Sequence, residues 1–270
     1  MANRVQTVDP VLAESRAERL AARQIHEPLI STESGPFGQT RARFGLAQPL
    51  GPRGGGRIWS YRLRTGVAFQ DGIRFDSDAV AANVERWLAD GVAAELLPGL
   101  SGTDSPRPGL VRFLFLAPVE NPDLALSDGR LGIVSPLALA ATRGGEVVRE
   151  GSGTGPFELR VDAPGLVGET ALARNSDWWG AGFELGPGVD QIVLMLEPDP
   201  AGRLEALVAG EAQIADQLDG DAVEELQGAP LLSVIDERAK PPIGVDRSVR
   251  GLASTRPDQS LADIWLTTLR

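Results

Sequence analysis

Residues 59–72 read WSYRLRTGVAFQDG, and residues 77–88 a little further on read SDAVAANVERWL. In the first stretch Trp59, Tyr61 and Leu63 alternate with polar neighbours, which is the period of a strand with one buried face. Asp71-Gly72 is a turn signal. The stretch therefore predicts a strand and a turn that lead into the next element.

The second stretch predicts an amphipathic helix over residues 77–88. Asp76 or Ser77 can cap its N-terminus, because a short polar side chain accepts hydrogen bonds from the first backbone N–H groups of a helix. Helical spacing places the large apolar residues on one face, which we expect to be buried: Val80, Val84, Trp87 and Leu88.

Two other segments carry clear patterns. A helix is predicted over residues 11–26, which Pro28 would end. Residues 192–196 read as an apolar strand, Asp199-Pro200 can begin a helix, and residues 213–217 read as a further strand. Strand, helix and strand in this order predict a βαβ unit, and the whole pattern predicts a mixed α/β fold.

Length and charge exclude several classes of protein. The chain has 270 residues, of which 42% are hydrophobic, and this is enough for a sizeable core. The net charge of −11 argues against a nucleic-acid binder and against a helix held on anionic lipid. The absence of cysteine excludes disulfides and thiolate metal sites, and one histidine excludes a histidine-based zinc site.

No catalytic motif is identifiable, so enzyme activity stays open. His26, at the end of the first predicted helix, is predicted to be a surface or cap residue rather than a catalytic base. The glycine-rich run at 151–156 lacks the ending of a phosphate loop, so its glycines are predicted to allow a sharp turn or a close approach. Trp178-Trp179 can stack on a ligand or fill the core beside Gly180, and the core interpretation is favoured.

Further short motifs stand along the chain: VDP at 8–10, EPL at 27–29, GTGPF at 153–157, RNSDWWG at 174–180, and the segment 199–215. Together with residues 59–88, they resemble in the same order the motifs of family 5 extracytoplasmic solute-binding proteins. That family comprises the dipeptide, oligopeptide and nickel binding proteins of ABC importers. The resemblance covers most of residues 5–240.

The resemblance implies an α/β fold with mixed sheets, the periplasmic-binding-protein-like lobe I with an inserted subdomain. Residues 1–32 plus 153–270 would form the core of lobe I, and residues 33–152 the inserted α/β subdomain. Members of the family close two lobes over a ligand, whereas the length here suffices for one. We therefore expect the second lobe to be absent, with residues 243–270 returning to lobe I as a C-terminal segment.

The function implied by the resemblance is that of a single-lobed, solute-binding protein-like domain for a peptide or other small molecule. We expect ligand contacts from Thr154, Gly155 and Phe157 in one loop, and from Asp216 and Gln217 after a strand. No cofactor and no metal are expected. Candidate partners are the ligand, an ABC permease and a second copy of the chain, whereas nucleic acid and a membrane span are not expected.

Two other functions stay open beside this one. A cytoplasmic, one-lobed derivative could have been recruited as an enzyme or sensor in a small-molecule pathway. An interaction module could dimerise through the lobe face that a second lobe would otherwise cover. The compartment stays open too: it is extracytoplasmic if a signal peptide was removed and cytoplasmic if Met1 is the native start.

Overall fold

The computed structural model describes residues 1, 4–34, 40–141, 152–160, 169–181, 187–218, 232–235 and 251–254 of the chain. Its helices are α1 Arg16–Ile25, α2 Ser77–Ala89, α3 Val92–Leu96, α4 Pro136–Ala141 and α5 Pro200–Ala209. The first strands are β1 Ser31–Ser34, β2 Thr40–Arg43, β3 Ala47–Arg53, β4 Ile58–Leu63, β5 Leu100–Arg107 and β6 Leu110–Phe115. They are followed by β7 Phe157–Arg160, β8 Thr170–Arg174, β9 Gln191–Leu194, β10 Ile214–Asp216, β11 Leu232–Ile235 and β12 Gly251–Ser254.

The strand predicted at the start of residues 59–72 is β4, at the centre of an antiparallel sheet with the order β3-β4-β6-β5. Its Tyr61 lies opposite Val111 of β6, and its Trp59 lies opposite Phe113. These side chains are buried, and the rings of Tyr61 and Phe113 meet edge to face with their centroids 5.4 Å apart. The predicted alternation of buried and polar residues is confirmed, except that Ser60 is buried as well.

Helix α2 covers the buried face of this sheet, as its apolar stripe predicts. The carboxylate of Asp76 accepts hydrogen bonds from the backbone N–H groups of Asp78 and Ala79, which confirms Asp76 as the cap. Val80, Val84 and Trp87 are buried, but the prediction was wrong for Leu88, which is 38% exposed. The buried stripe instead runs through Asn83 and Ala79, which lie one turn and two turns before Trp87.

Buried Asn83 ties α2 to the chain segment that crosses beneath it. Its Nδ2 group donates to the backbone oxygen of Val134 at 2.8 Å, and its Oδ1 accepts from the Val134 N–H at 3.0 Å. Nδ2 also donates to the Ala79 carbonyl of its own helix at 2.9 Å. One buried amide therefore supplies hydrogen-bond partners for both the N–H and the carbonyl of Val134. Val134 lies in none of the described strands, so these groups form no sheet hydrogen bonds there.

Helix α1 packs against a second sheet, the antiparallel β7-β8-β9. The helix begins at Arg16 rather than at residue 11, because Ser15 and Glu18 form a capping box that sets the first turn. Ala21 and Ile25 of α1 share a small core with Phe157 and Leu172 of the sheet. This core lies apart from the larger one between α2 and the first sheet.

The third sheet is parallel, with β12 between β10 and β11. The predicted βαβ unit is therefore wrong in its pairing, since β9 joins the antiparallel sheet while β10 joins the parallel one. Only 251–254 of the predicted returning segment 243–270 is described, and the rest lies outside the described residues. The first sheet, α2 and α3 all fall within the predicted subdomain 33–152, and that division of the chain stays a prediction.

No helix among the residues with described coordinates is both long and apolar enough to cross a membrane.

Replacing the buried amide that holds Val134 should destabilise the fold. The Asn83→Ala variant is expected to lose about 2 kcal/mol of unfolding free energy, because two buried backbone groups lose their partners. Urea denaturation measures the loss. Glu85→Ala on the exposed side of the same helix should change the unfolding free energy by less than about 0.5 kcal/mol, and equal losses in both variants would contradict a special role for Asn83.

Candidate ligand-binding cavity

A cavity of about 840 Å³ lies between α1, the edge strand β9, α5 and β10. We call it the α5 cavity. Its volume is within the range of small-molecule sites in proteins, which run from about 300 to 1,000 Å³. Its apolar wall is formed by Leu20, Leu172, Ile192, Leu194, Ala206 and Ile214.

Arg203 lines the α5 cavity and joins its walls. The residue is 5% exposed, and each nitrogen of its guanidinium donates to a backbone carbonyl. Nε reaches the oxygen of Asp216 at 2.8 Å, and Nη2 reaches the oxygen of Gln217 at 2.8 Å. Nη1 contacts the oxygens of Glu197 and Pro198, each at 2.7 Å. One side chain thus ties the segment before α5 to the end of β10.

Asp216 ends β10 and also lines the α5 cavity. Its carboxylate is paired with the Arg16 guanidinium of α1, and both side chains are buried. Burial raises the pKa of Asp216 above its ordinary value, although Arg16 opposes this effect. Because removing one member of a buried ion pair leaves an uncompensated charge, the pair fixes how α1 meets β10.

Gln217 follows Asp216 with a positive φ of 56°. Its backbone N–H donates to the Asp216 carboxylate at 2.9 Å, and its carbonyl accepts from Arg203. Few residues other than glycine, asparagine and aspartate adopt this backbone conformation without cost. The strand therefore ends in a turn that is held at both backbone groups of Gln217.

The other predicted ligand contacts lie at the far end of α1. Thr154 is buried, and its hydroxyl donates to Glu27 at 2.9 Å. The Gly155 N–H donates to the carbonyl of Ile25 at 2.8 Å. Phe157 is buried in the core between α1 and the second sheet. None of these three residues lines the α5 cavity, and neither does Gln217, so of the five predicted contacts the cavity lining contains Asp216.

The glycines of this loop allow a close approach, as the sequence predicts. A Cβ atom at Gly153 would lie 2.0 Å from the oxygen of Ile25, and one at Gly155 would lie 2.4 Å from the oxygen of Gln24. The loop also forms a hydrogen bond with the turn at the end of residues 59–72, because the Gln70 N–H donates to the Gly153 carbonyl at 2.9 Å. Two of the family-like motifs are therefore in direct contact.

Glu27 stands at the centre of a polar cluster that sequence patterns did not reveal. Its Oε2 accepts from the Thr154 hydroxyl and, at 2.7 Å, from the indole N–H of Trp179. The Arg64 guanidinium lies 4.1 Å from the ring centroid of Phe44 and 4.2 Å from that of Trp179. Burial raises the pKa of Glu27 to about 7, and the hydrogen bonds and Arg64 act in the opposite direction.

The remaining sequence candidates have structural roles. His26 caps α1 through its backbone N–H and is buried rather than at the surface. Burial lowers the pKa of His26 to about 4, so its imidazole is neutral near pH 7. Trp178 is buried against Gly180, which confirms its core interpretation, whereas the indole of Trp179 reaches Glu27.

The family model for bacterial extracellular solute-binding proteins, family 5 Middle, matches residues 11–248 of the chain. The chain belongs to this family. The resemblance that the sequence motifs predicted is thereby confirmed, and so is the mixed α/β fold of the periplasmic-binding-protein type.

Individual relatives match over part of their length. The glutathione-binding protein GsiB of Escherichia coli (strain K12) is 26% identical over 212 residues, which span 77% of this chain and 40% of GsiB. The structure of NikA from Brucella suis in complex with Fe(III)-EDTA matches with a TM-score of 0.70 and 24% identity, over 86% of this chain and 46% of NikA. AgaA from A. tumefaciens R10, in complex with agropinic acid, matches with a TM-score of 0.73 and 22% identity, over 85% and 45%. The chain thus spans less than half of each of these relatives.

An alanine in the loop that touches α1 should be strongly destabilising. Gly153→Ala is expected to lower the unfolding free energy by about 3 kcal/mol, because its Cβ meets a backbone oxygen that has no room to move. Gly72→Ala is the matched comparison, since that glycine has open space around it and a φ of +83°. It should lose only about 1 kcal/mol from backbone strain, and an equal loss in both variants would contradict the close approach.

The Glu27→Gln variant should remove a pH dependence of stability. The pKa of Glu27 is about 7 in the folded chain against 4.5 for an ordinary glutamate, so folding favours the protonated form. This stabilisation is complete below pH 4.5 and is lost as the pH rises through about 7.

Urea denaturation at about pH 5 and pH 8 measures this effect. Relative to Glu27→Gln, the wild-type unfolding free energy should fall by roughly 1–3 kcal/mol over that interval. Glu85→Gln, an exposed carboxylate on α2, should keep the wild-type dependence. An unfolding free energy that changes equally with pH in the wild type and in Glu27→Gln would show that Glu27 does not titrate in this range.

Proposed function

We propose that this chain is the ligand-binding part of a solute-binding protein that captures a peptide or other small molecule for an ABC permease. Family membership over residues 11–248 supports this function. The observation that carries it at the level of the site is the α5 cavity, where the buried Asp216 meets an apolar wall of suitable size.

We further propose that the described residues form a single lobe of the two-lobed family fold. Supporting this, 86% of the chain matches only 46% of NikA, at a TM-score of 0.70. A ligand in the α5 cavity would then be held mainly by α1, α5 and the strands beside them. Affinity from one wall is expected to be lower than in a closed cleft, since less of the ligand is removed from water.

The predicted contact residues take different parts in this proposal. Asp216 lines the α5 cavity at the end of β10 and Gln217 directly follows it, and both are proposed to contact the ligand. Thr154, Gly155 and Phe157 are proposed to act indirectly, because they hold the last turn of α1 in place. Neither the family nor the relatives support self-association of the chain.

A ligand panel tests the proposed function. Thermal unfolding of the full chain is measured with glutathione, agropinic acid and Fe(III)-EDTA, the compounds named with the relatives above. The peptide STSA, which is bound in the structure of the similar protein DppA from Helicobacter pylori, completes the panel. A ligand at about 100 times its Kd stabilises by about 2.7 kcal/mol, which raises the Tm by several degrees. At least one member of the panel should do so, and a Tm that none of them moves would contradict the proposal.

Gln217→Asn supplies the site-directed arm of this experiment. Asparagine tolerates the positive φ but shortens the amide side chain, so the fold should persist while the ligand shift shrinks. Gln48→Asn in the exposed part of β3 is the matched control and should keep the full shift. Equal shifts in the two variants would remove Gln217 from the proposed site.

A further inference from the structure

Among the residues that the structure describes, the charged groups that line the α5 cavity are mostly negative. Besides the paired Asp216, the lining contains the carboxylates of Glu169, Glu197, Glu205 and Glu211. The positive groups in the lining are the Arg203 guanidinium and the ammonium group of Met1. Of the carboxylates, Glu205 on α5 and Glu211 just after it are exposed at the cavity wall. The charge inside this space therefore favours a cation over an anion.

The positive groups are also poorly placed to hold an anion. Every nitrogen of Arg203 already donates to a backbone carbonyl, and those four bonds join the segment before α5 to the end of β10. The Met1 ammonium donates to the carbonyl of Met195 at 2.9 Å, and burial lowers its pKa. An anionic ligand would have to compete with these bonds, whereas the carboxylates of Glu205 and Glu211 remain accessible.

The rest of the lining is apolar and partly open. Ile192 and Leu194 of β9 face the cavity together with Leu20 of α1 and Ala206 of α5. Met195 and Leu196, which follow β9 in the lining, are 37% and 41% exposed. Binding of an apolar group here would remove this surface from water, and the free energy gained grows with the apolar area buried.

We propose that the α5 cavity selects a ligand that carries a protonated amine on an apolar body. The amine lies against the carboxylates of Glu205 and Glu211, and the apolar body contacts the wall formed by α1 and β9. This inference deepens the proposed function and rests on it, because it assumes that the α5 cavity is the ligand site. An alkylamine and the free N-terminus of an apolar peptide share this chemistry.

Three probes with the same six-carbon chain test the role of charge. Hexylammonium, hexan-1-ol and hexanoate are titrated into the full chain by calorimetry at pH 7.5 and low salt. Hexylammonium should bind about tenfold more tightly than hexan-1-ol, and hexanoate should bind more weakly than either. Hexanoate binding as tightly as hexylammonium, or no measurable hexylammonium binding, would overturn the proposal.

Substitutions in the cavity lining test whether the preference for hexylammonium arises in the α5 cavity. The double variant Glu205→Gln, Glu211→Gln should weaken hexylammonium binding by about fivefold and leave hexan-1-ol binding unchanged. Both side chains are exposed, so the fold should tolerate the change. The matched pair of Glu85→Gln and Glu120→Gln lies outside the cavity lining and should leave both affinities unchanged. Unchanged hexylammonium binding in the double variant at residues 205 and 211 would overturn the proposal.

A second pair of probes distinguishes the sources of the amine. Leucine amide carries a free amine as a peptide N-terminus does, and N-acetyl-leucine amide lacks it. A peptide ligand is supported if leucine amide binds more tightly than both hexylammonium and N-acetyl-leucine amide. An alkylamine ligand is supported if hexylammonium binds more tightly than leucine amide. A response to the ligand panel of the proposed function, combined with no preference for cations here, would overturn this inference alone.

Discussion

The contact between the loop at 152–156 and the last turn of α1 is the constraint on which the rest of the described structure depends. Backbone meets backbone there, since the space beside the oxygens of Gln24 and Ile25 admits no side-chain atom from Gly153 or Gly155. The Gly155 N–H donates to the Ile25 carbonyl at 2.8 Å, and this bond fixes the distance between the loop and the end of α1. This contact sets where β7 begins, and β7 starts the sheet that packs on α1 and carries β9 at its edge.

The same loop also contacts the turn at residues 70–72, which ends the stretch 59–72. The Ser152 hydroxyl accepts from the Asp71 N–H at 3.0 Å, and Gly153 pairs with Gln70. Thr154 turns the other way and donates to Glu27. The five residues 152–156 therefore join α1, the second sheet and the turn at residues 70–72. These several contacts explain why small residues and hydroxyl side chains alternate in the loop.

Buried charged side chains hold together the elements around the α5 cavity. Arg203 holds the walls of the α5 cavity through backbone carbonyls alone, and Asp216 holds α1 through Arg16. Buried charges of this kind cost desolvation energy and favour a single geometry, since any other leaves a charge without a partner. The accessible carboxylates of the cavity stand outside these bonds, and this separation of structural charge from accessible charge is the basis for the selectivity proposed above.

Sequence alone determined the features that depend on near neighbours along the chain. The strand with Trp59 and Tyr61, the helix capped by Asp76, and the tight loop at 153–155 follow from alternation, capping and glycine, all of which act within a few residues. Only the tertiary structure decided that β9 and β10 join different sheets, that Glu27 meets Thr154 and Trp179, and that Asp216 meets Arg16. The side-chain partners lie more than a hundred residues apart, and no local pattern carries information about which distant groups fill the same space.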